Sequence, residues 1–467
     1  MSIVSKKRQS TSPSLHGRSG HRSPAISPAR REAFRILLQV EQERAYASEL
    51  LVSAKLDALA AEDRRLVYEL VLGVLRWQLQ LDYYIAHYAT RPVTKLELPV
   101  LIALRLGLYQ IRFLDRIPDW AAVNESVQLA KRHSRAGATR LVNAILREAC
   151  RTRQIDLCDQ IEQEHEQLAI RYSHPRWLVQ KWISQWGREE TIRLLQANNA
   201  TPPVALRFNP LKAVPEQTRT ELEQQGVSLI ASAYAPGAYR IERGATQDYG
   251  AMVQSGKVYI QDEASQLVAS LLAVQPGMRV LDVCAAPGSK ATQMAATMLN
   301  QGMIVAADVH QHRLRHLQQL SDRLGVTLIH PVVMDARQPL PLTPAELFDR
   351  VLVDAPCSGT GTLRHHPEIK WRLQQDDLTA MAQLQLALLT NAATMLACHG
   401  RLVYSTCSLE PEENEQVVEK FLDAHPQFKR LQPTAHPSVL THTGDVRTFP
   451  HRHHADGFFA AVLGRHT

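Results

Sequence analysis

The 467-residue chain contains no apolar run of about 18 residues, the minimum for a membrane-spanning helix. Its six cysteines (Cys150, Cys158, Cys284, Cys357, Cys398 and Cys407) form no Cys-x-x-Cys pair and lack the dense spacing of a disulfide scaffold, so reduced thiols in a cytoplasmic compartment are expected. The amino-terminal lysines are not followed by the apolar core of a signal peptide. No Gly-x-Gly-x-x-Gly is present, which argues against a dinucleotide cofactor. The net charge of +7 is also misleading as a sign of a basic fold. The first 31 residues hold seven Lys/Arg (Lys6, Lys7, Arg8, Arg18, Arg22, Arg30 and Arg31) and no Asp or Glu, leaving 46 basic against 46 acidic residues elsewhere. A disordered basic tail over 1–28 and a neutral remainder follow, so any polyanion-binding face must be a local patch.

The patterning present divides the remainder into three. Over 29–165 apolar residues recur at three and four, as in Ala33, Phe34, Ile36, Leu37 and Val40 or Val100, Leu101, Leu104, Leu108 and Ile111, which predicts a helical bundle broken near Pro92, Pro118 and Gly137. Exposed basic positions there include Arg64, Arg65, Lys131 and Arg132. Over 166–255 short helices and strands predict a small α+β connector, with Trp177, Trp182 and Trp186 near one helical face and read as packing residues. Over 256–467 strands expected at 279–283, 303–307, 329–333, 350–353, 401–404 and 457–462 alternate with helices at 289–299, 312–324 and 377–397. Continuous apolar strands between helices predict a parallel, doubly wound sheet.

In such a sheet ligands bind beyond the carboxyl ends of the strands. The first strand runs into Asp282-Val-Cys-Ala-Ala-Pro-Gly-Ser-Lys290 and a helix. With Gly288 its only glycine, this loop suits a nucleoside ligand without phosphates, for which S-adenosylmethionine is the leading candidate. Asp282 is expected to receive its cationic end, Asp308 its ribose hydroxyls and Asp335 its adenine amino group, with Gly288 keeping the loop close to the ligand. Asp354 ends a fourth strand; one such aspartate could be a helix cap, but four are hard to explain that way. Cys357, in Val351-Leu-Val-Asp-Ala-Pro-Cys-Ser-Gly-Thr-Gly361, and Cys407, in Arg401-Leu-Val-Tyr-Ser-Thr-Cys-Ser408, each follow an apolar strand. Two thiols carried past neighbouring strand ends can meet on one substrate.

Together these three motifs resemble the S-adenosylmethionine-dependent RNA cytosine-carbon-5 methyltransferases. Tyr68-Glu-Leu-Val-Leu-Gly-Val-Leu-Arg76, Arg105-Leu-Gly-Leu-Tyr-Gln-Ile111 and Leu141-Val-Asn-Ala-Ile-Leu-Arg147 resemble the NusB-like RNA-binding domain. Their fusion is the arrangement of the RsmB type. It implies an all-α NusB-like bundle, the α+β connector and a Rossmann-like class I domain with a mostly parallel seven-stranded sheet, in a monomer acting on small-subunit ribosomal RNA. By this resemblance Cys407 is the nucleophile, Cys357 assists proton removal and release, and Asp354 orients the cytosine. Lys290 is placed to help stabilise the thiolate or substrate. The expected cofactor set is Asp282, Cys284, Ala285, Ala286, Pro287, Gly288, Ser289, Lys290, Asp308, Asp335 and Asp354, with no metal. Ser289 stands where the family usually has a second glycine, and His365 where a second arginine is common.

The chemistry requires such a set: carbon-5 of cytosine is a poor nucleophile until a thiolate adds to carbon-6. A stacked cytosine is out of reach, so the target must be looped out or extruded. Cys150, Cys158 and Cys398 are read as inert helix residues, and His451, His453 and His454 as a solvated loop near RNA. An amino-group methyltransferase would carry Asn/Asp-Pro-Pro-Tyr/Phe in place of Asp354-Ala-Pro-Cys357. A non-catalytic RNA-binding or assembly factor would be expected to have lost a cysteine or cofactor aspartate, and none is lost; the same chemistry on another RNA remains the alternative.

Overall fold

A computed structural model describes residues 26–135, 137–341 and 347–465. The expected basic tail lies outside them except for its last three residues. Of the arginines counted with it, Arg30 is structural. It is buried in the helix Pro28–Gln42, where its Nε donates to Gln110 (2.6 Å) and its guanidinium pairs with Glu125 at 2.9 Å.

The apolar stripes become the amphipathic helices Pro28–Gln42, Ala61–Arg76, Gln78–Ala89, Asp119–His133 and Ala138–Arg151, around a central helix Leu98–Phe113 buried almost all round. Close packing depends on glycine here. A Cβ at Gly73 would fall 2.0 Å from the Tyr109 ring, and one at Gly107 would fall 2.5 Å from Leu146. Among the described residues no helix is long and apolar enough to cross a membrane.

Three helices (Glu164–Arg171, Arg176–Trp186, Arg188–Asn199) lead to a four-stranded antiparallel sheet of β1 (Ala205–Phe208), β2 (Ser228–Ala231), β3 (Ala238–Arg243) and β4 (Val258–Ile260), in the order β2-β3-β1-β4. Trp182 is fully buried, with Trp177 and Trp186 packed beside it. Pairing of Leu206 with Ile260 carries this sheet past residue 255, where the sequence reading ended the connector. A three-residue strand is too short to show alternation, so β4 was not legible.

The last region holds β5 (Arg279–Asp282), β6 (Met303–Asp308), β7 (Ile329–Val333), β8 (Phe348–Asp354), β9 (Leu396–Thr406), β10 (Phe428–Arg430), β11 (Val446–Arg447) and β12 (Phe459–Arg465). The order is β10-β12-β9-β8-β5-β6-β7, with β11 added to β12. The expected seven-stranded sheet therefore has eight strands. Its β9-β8-β5-β6-β7 part is parallel, whereas β10, β11 and β12 are antiparallel. The helix expected to reach residue 397 ends at Ala393, so Cys398 lies on a strand and is exposed. Strand order reverses beside β5, whose neighbours are β8 and β6, and this switch point opens the crevice where α/β sheets bind ligands.

Candidate active site

β8 and β9 are parallel neighbours with Asp354 opposite Ser405, so the chain leaves both at one level. Cys357 and Cys407 follow directly, and their sulfurs are 3.3 Å apart. The polar turns around them cross-link the two loops. Ala355 N donates to Ser405 O (2.8 Å), Gly361 N to Cys407 O (2.9 Å) and Leu409 N to Thr360 Oγ1 (2.9 Å). A Cβ at Gly361 would lie 1.9 Å from the Gly457 carbonyl oxygen, so the Ser-Gly-Thr-Gly turn is glycine where it meets the strand entering β12.

Beneath both loops lies Glu413, buried and not singled out by the sequence. One of its oxygens accepts from Ser358 N (2.8 Å) and Gln385 Nε2 (2.9 Å); the other accepts from the Ser358 and Ser408 hydroxyls. Its signal was masked because Glu410-Pro-Glu-Glu413 reads as a solvated acidic run.

The Lys290 ammonium donates to Asp354 Oδ2 at 2.6 Å, and Ser405 Oγ donates to Asp354 Oδ1 at 2.7 Å. Burial opposes the lysine's charge, but Asp354, with Cys407 and Asp282 behind it, raises its pKa overall. The hydrogen bond to Cys407, then burial, drives the Cys357 thiol well above its ordinary range. Cys357 is thus held as S–H beside the Cys407 sulfur.

A cavity of about 770 Å³ opens at these strand ends, within the size range of small-ligand sites. Both thiols line it, as do Cys284, Ala286, Pro287, Lys290, Asp308, Asp335 and Asp354 from the expected set. Asp282, Ala285, Gly288 and Ser289 do not line it. Asp282 is buried behind it with Oδ1 unpartnered, and burial, then the Asp354 charge, lifts its pKa to about 7. An orphaned buried carboxylate oxygen suits a cationic donor, so the residues present fit the ammonium of S-adenosylmethionine.

Asp308 accepts from His310 N (2.8 Å), with Arg313 at 3.4 Å from its other oxygen. Asp335 stands two residues past the end of β7, and its carboxylate is gripped on both oxygens by Arg337, which lowers its pKa. Gly288 also has a structural role. Its φ is +105°, it precedes the helix Ser289–Thr297, and a Cβ there would lie 2.8 Å from Leu317. The turn and the packing against Leu317 each require glycine.

The lining also includes Asp262, Thr362, His366, Asp456 and Phe458, which local motifs do not reveal because they come from segments far apart in the chain. Burial first, then Asp456, raises Asp262 to about 7; burial raises Asp456 to about 6 and lowers His365 to about 4. Oxygens of Asp262 and Asp456 and a His365 nitrogen lie within 4.8 Å of one another. Arg364 already stands 3.0 Å from Asp456 and 3.9 Å from Asp262, so this is an ion-pair network. Arg364 is itself buried in it.

The three expected solvated histidines are not alike. His451 is largely buried in the short helix Pro450–His453 and bonds to Glu190 at 2.6 Å, His453 accepts from Phe449 N at 2.9 Å, and only His454 is exposed. Packing against the helix Arg188–Asn199 holds this turn in place, a contact between distant segments that local polarity does not reveal.

Family models match the chain in three stretches: the NusB family over residues 27–151, the ferredoxin-like domain of RsmF/B-like methyltransferases over 174–247, and the 16S rRNA methyltransferase RsmB/F over 269–464. The probable ribosomal RNA small subunit methyltransferase B of Bacillus subtilis is 36% identical, with 92% of this chain and 97% of that protein covered. Its counterpart from Synechocystis is 38% identical, with 93% and 99% covered. Among solved structures, PH0851 is 29% identical with a TM-score of 0.80, covering 95% of this chain and all of that one. A methyltransferase homolog protein from Pyrococcus horikoshii, also 29% identical, has a TM-score of 0.58 and covers 66% of this chain and all of that one. Matched over nearly its full length by the Bacillus and Synechocystis proteins, the chain belongs to the RsmB/F family of 16S rRNA methyltransferases.

Proposed function

We propose that the protein transfers a methyl group from S-adenosylmethionine to carbon-5 of a cytosine in small-subunit ribosomal RNA, through a covalent bond between Cys407 and carbon-6. The observation that carries this is the pair of sulfurs 3.3 Å apart at adjacent strand ends, beside the Lys290–Asp354 ion pair. When bound, the cofactor supplies an electrophilic methyl on sulfonium. Asp282 and Asp308 would hold its ammonium and ribose hydroxyls, and Asp335 its adenine amino group.

Cys357, as a thiol, donates to the Cys407 sulfur. Cys407 attacks carbon-6, making carbon-5 nucleophilic, while the Asp354–Lys290 pair meets the polar edge of the ring and stabilises the charge pushed into it. Carbon-5 takes the methyl group, and the donor would leave as the neutral thioether S-adenosylhomocysteine; Cys357, its own proton given up to solvent, then takes the proton from carbon-5, whose bonding electrons re-form the carbon-5 to carbon-6 double bond and expel Cys407 as a thiolate. The RNA reaches the cavity as an extruded or looped-out base.

The test is trapping. Cys407→Ala abolishes methyl transfer and the covalent RNA adduct, whereas Cys357→Ala accumulates an RNase-sensitive, slowly migrating RNA-linked protein. Appreciable turnover by Cys407→Ala rules out the nucleophile assignment, and methyl groups recovered on an atom other than carbon-5 rule out the chemistry.

A further inference from the structure

Five residues beyond Gly361 the chain reaches the cavity-lining His366, then runs through the short helix Ile369–Arg372. This stretch is gripped by the helical domain and, through Ser173 and Asn199, by the start of the connector. Lys370 is buried, and its ammonium donates to Arg76 O (2.8 Å), Ser173 O (2.8 Å) and Asn199 Oδ1 (3.3 Å), one acceptor for each of its three N–H groups. Trp371 Nε1 donates to Leu75 O (2.7 Å), and Arg372 donates to Ala45 O (2.7 Å) and Val40 O (3.1 Å). In return Ala47 N donates to Glu368 Oε1 (3.0 Å), and Arg76 donates to Arg364 O (3.2 Å).

The acceptors are not arbitrary. Leu75 and Arg76 end the helix Ala61–Arg76, and Val40 lies in the last turn of Pro28–Gln42. Helix C-termini carry carbonyls without intrahelical partners and partial negative charge, both of which the indole N–H and the two cations satisfy. Burial, then the Arg76 charge, presses the Lys370 pKa down, so loss of any acceptor would be felt. Directional bonds on both sides fix the register of this seam, unlike an apolar contact that can slide.

The seam also connects to the chemistry. His365 N and His366 N both bond to Thr362 O (2.9 and 3.0 Å), so the stretch held by Lys370 is continuous with the wall formed by Thr362 and His366, and through Gly361 N with the Cys407 carbonyl. We propose that the helical domain is a working part of the methyl-transfer site: its two helix ends, seated on residues 364–372, hold the Thr362–His366 wall and the adjoining thiol loop in the reactive arrangement. Lys370 and Trp371 are positioning residues. The inference rests on the methyl transfer proposed above, whichever RNA atom accepts the group.

The test uses the full-length protein, tritiated S-adenosylmethionine and a small-subunit rRNA transcript, at a temperature well below the unfolding transition. In Lys370→Met kcat falls about tenfold or more, and in Trp371→Phe about threefold, while KM for RNA and Kd for S-adenosylhomocysteine stay within about twofold. Amide hydrogen exchange over 359–366 speeds up in both variants without RNA present, a readout independent of the reaction. If Lys370→Met does not fold, Trp371→Phe decides. Wild-type kcat in the folded variants, a loss confined to KM for RNA, or unchanged exchange over 359–366 overturns the proposal. If the wild-type protein transfers no methyl group, the function is wrong, and the exchange measurement still decides whether the seam sets the wall.

Discussion

On the thiol side of the cavity almost every polar group is already bonded: Asp354 on both oxygens, Ser358 and Ser408 to Glu413, Cys357 to Cys407. Across the cavity, at the ends of β5 and β6, Asp282 keeps an unpartnered oxygen and Asp308 has only a 3.4 Å contact on one of its own. One side is organised in advance for charge that appears during reaction, where movable groups would cost rate. The other side keeps acceptors open for a ligand that brings its own donors.

Removing Glu413 would break that contrast most sharply. Glu413→Ala removes the acceptor that two hydroxyls, the Ser358 N–H and Gln385 Nε2 share in the interior, so a stability loss of about 2–4 kcal/mol is expected. Methyl transfer is expected to drop about 100-fold with cofactor affinity little changed. Denaturant unfolding, kinetics and S-adenosylhomocysteine titration read the three quantities. Unchanged turnover would mean the thiol loops need no brace.

Asp282→Asn addresses the other side, with about a tenfold loss of S-adenosylhomocysteine affinity expected by calorimetry. The pH dependence sharpens it. With a folded pKa near 7 against 3.8, the native state binds more protons than the unfolded one between those values, so Asp282 makes stability fall as pH rises from about 4 to 7. The ligand's ammonium prefers the carboxylate, so affinity should instead rise toward pH 7 and above. The asparagine variant should lose this slope; keeping it would assign the titration elsewhere.

The smallest effect on the reaction is expected from Gly288→Ala. A side chain at φ +105° costs about 1–3 kcal/mol, seen as a lowered Tm, with cofactor affinity within about threefold. A larger change in affinity than in stability would support the view that the glycine faces the ligand.

The cysteines and strand-end aspartates were legible because they sit at the ends of long apolar runs, where sequence position and sheet topology coincide. Glu413, Asp262 and Asp456 were not, since a buried carboxylate is distinguished only by partners that folding brings from elsewhere. His451 illustrates the same limit in reverse: a polar turn read as solvated is covered by a helix more than 250 residues earlier, through Glu190. β10 and β11 escaped notice because three and two residues cannot display a period. Gly288 is legible as a special position, but its packing against Leu317, which a local motif does not show, also requires glycine.

The touching backbones of Gly361 and Gly457 carry a practical consequence. Because the thiol loop leans on the approach to the final strand without room for one methyl group, the two must be inherited and engineered as a unit. A chimera that swaps the carboxyl-terminal hairpin between relatives must also bring along the matching loop, or its sulfurs will be mis-set although neither cysteine has changed.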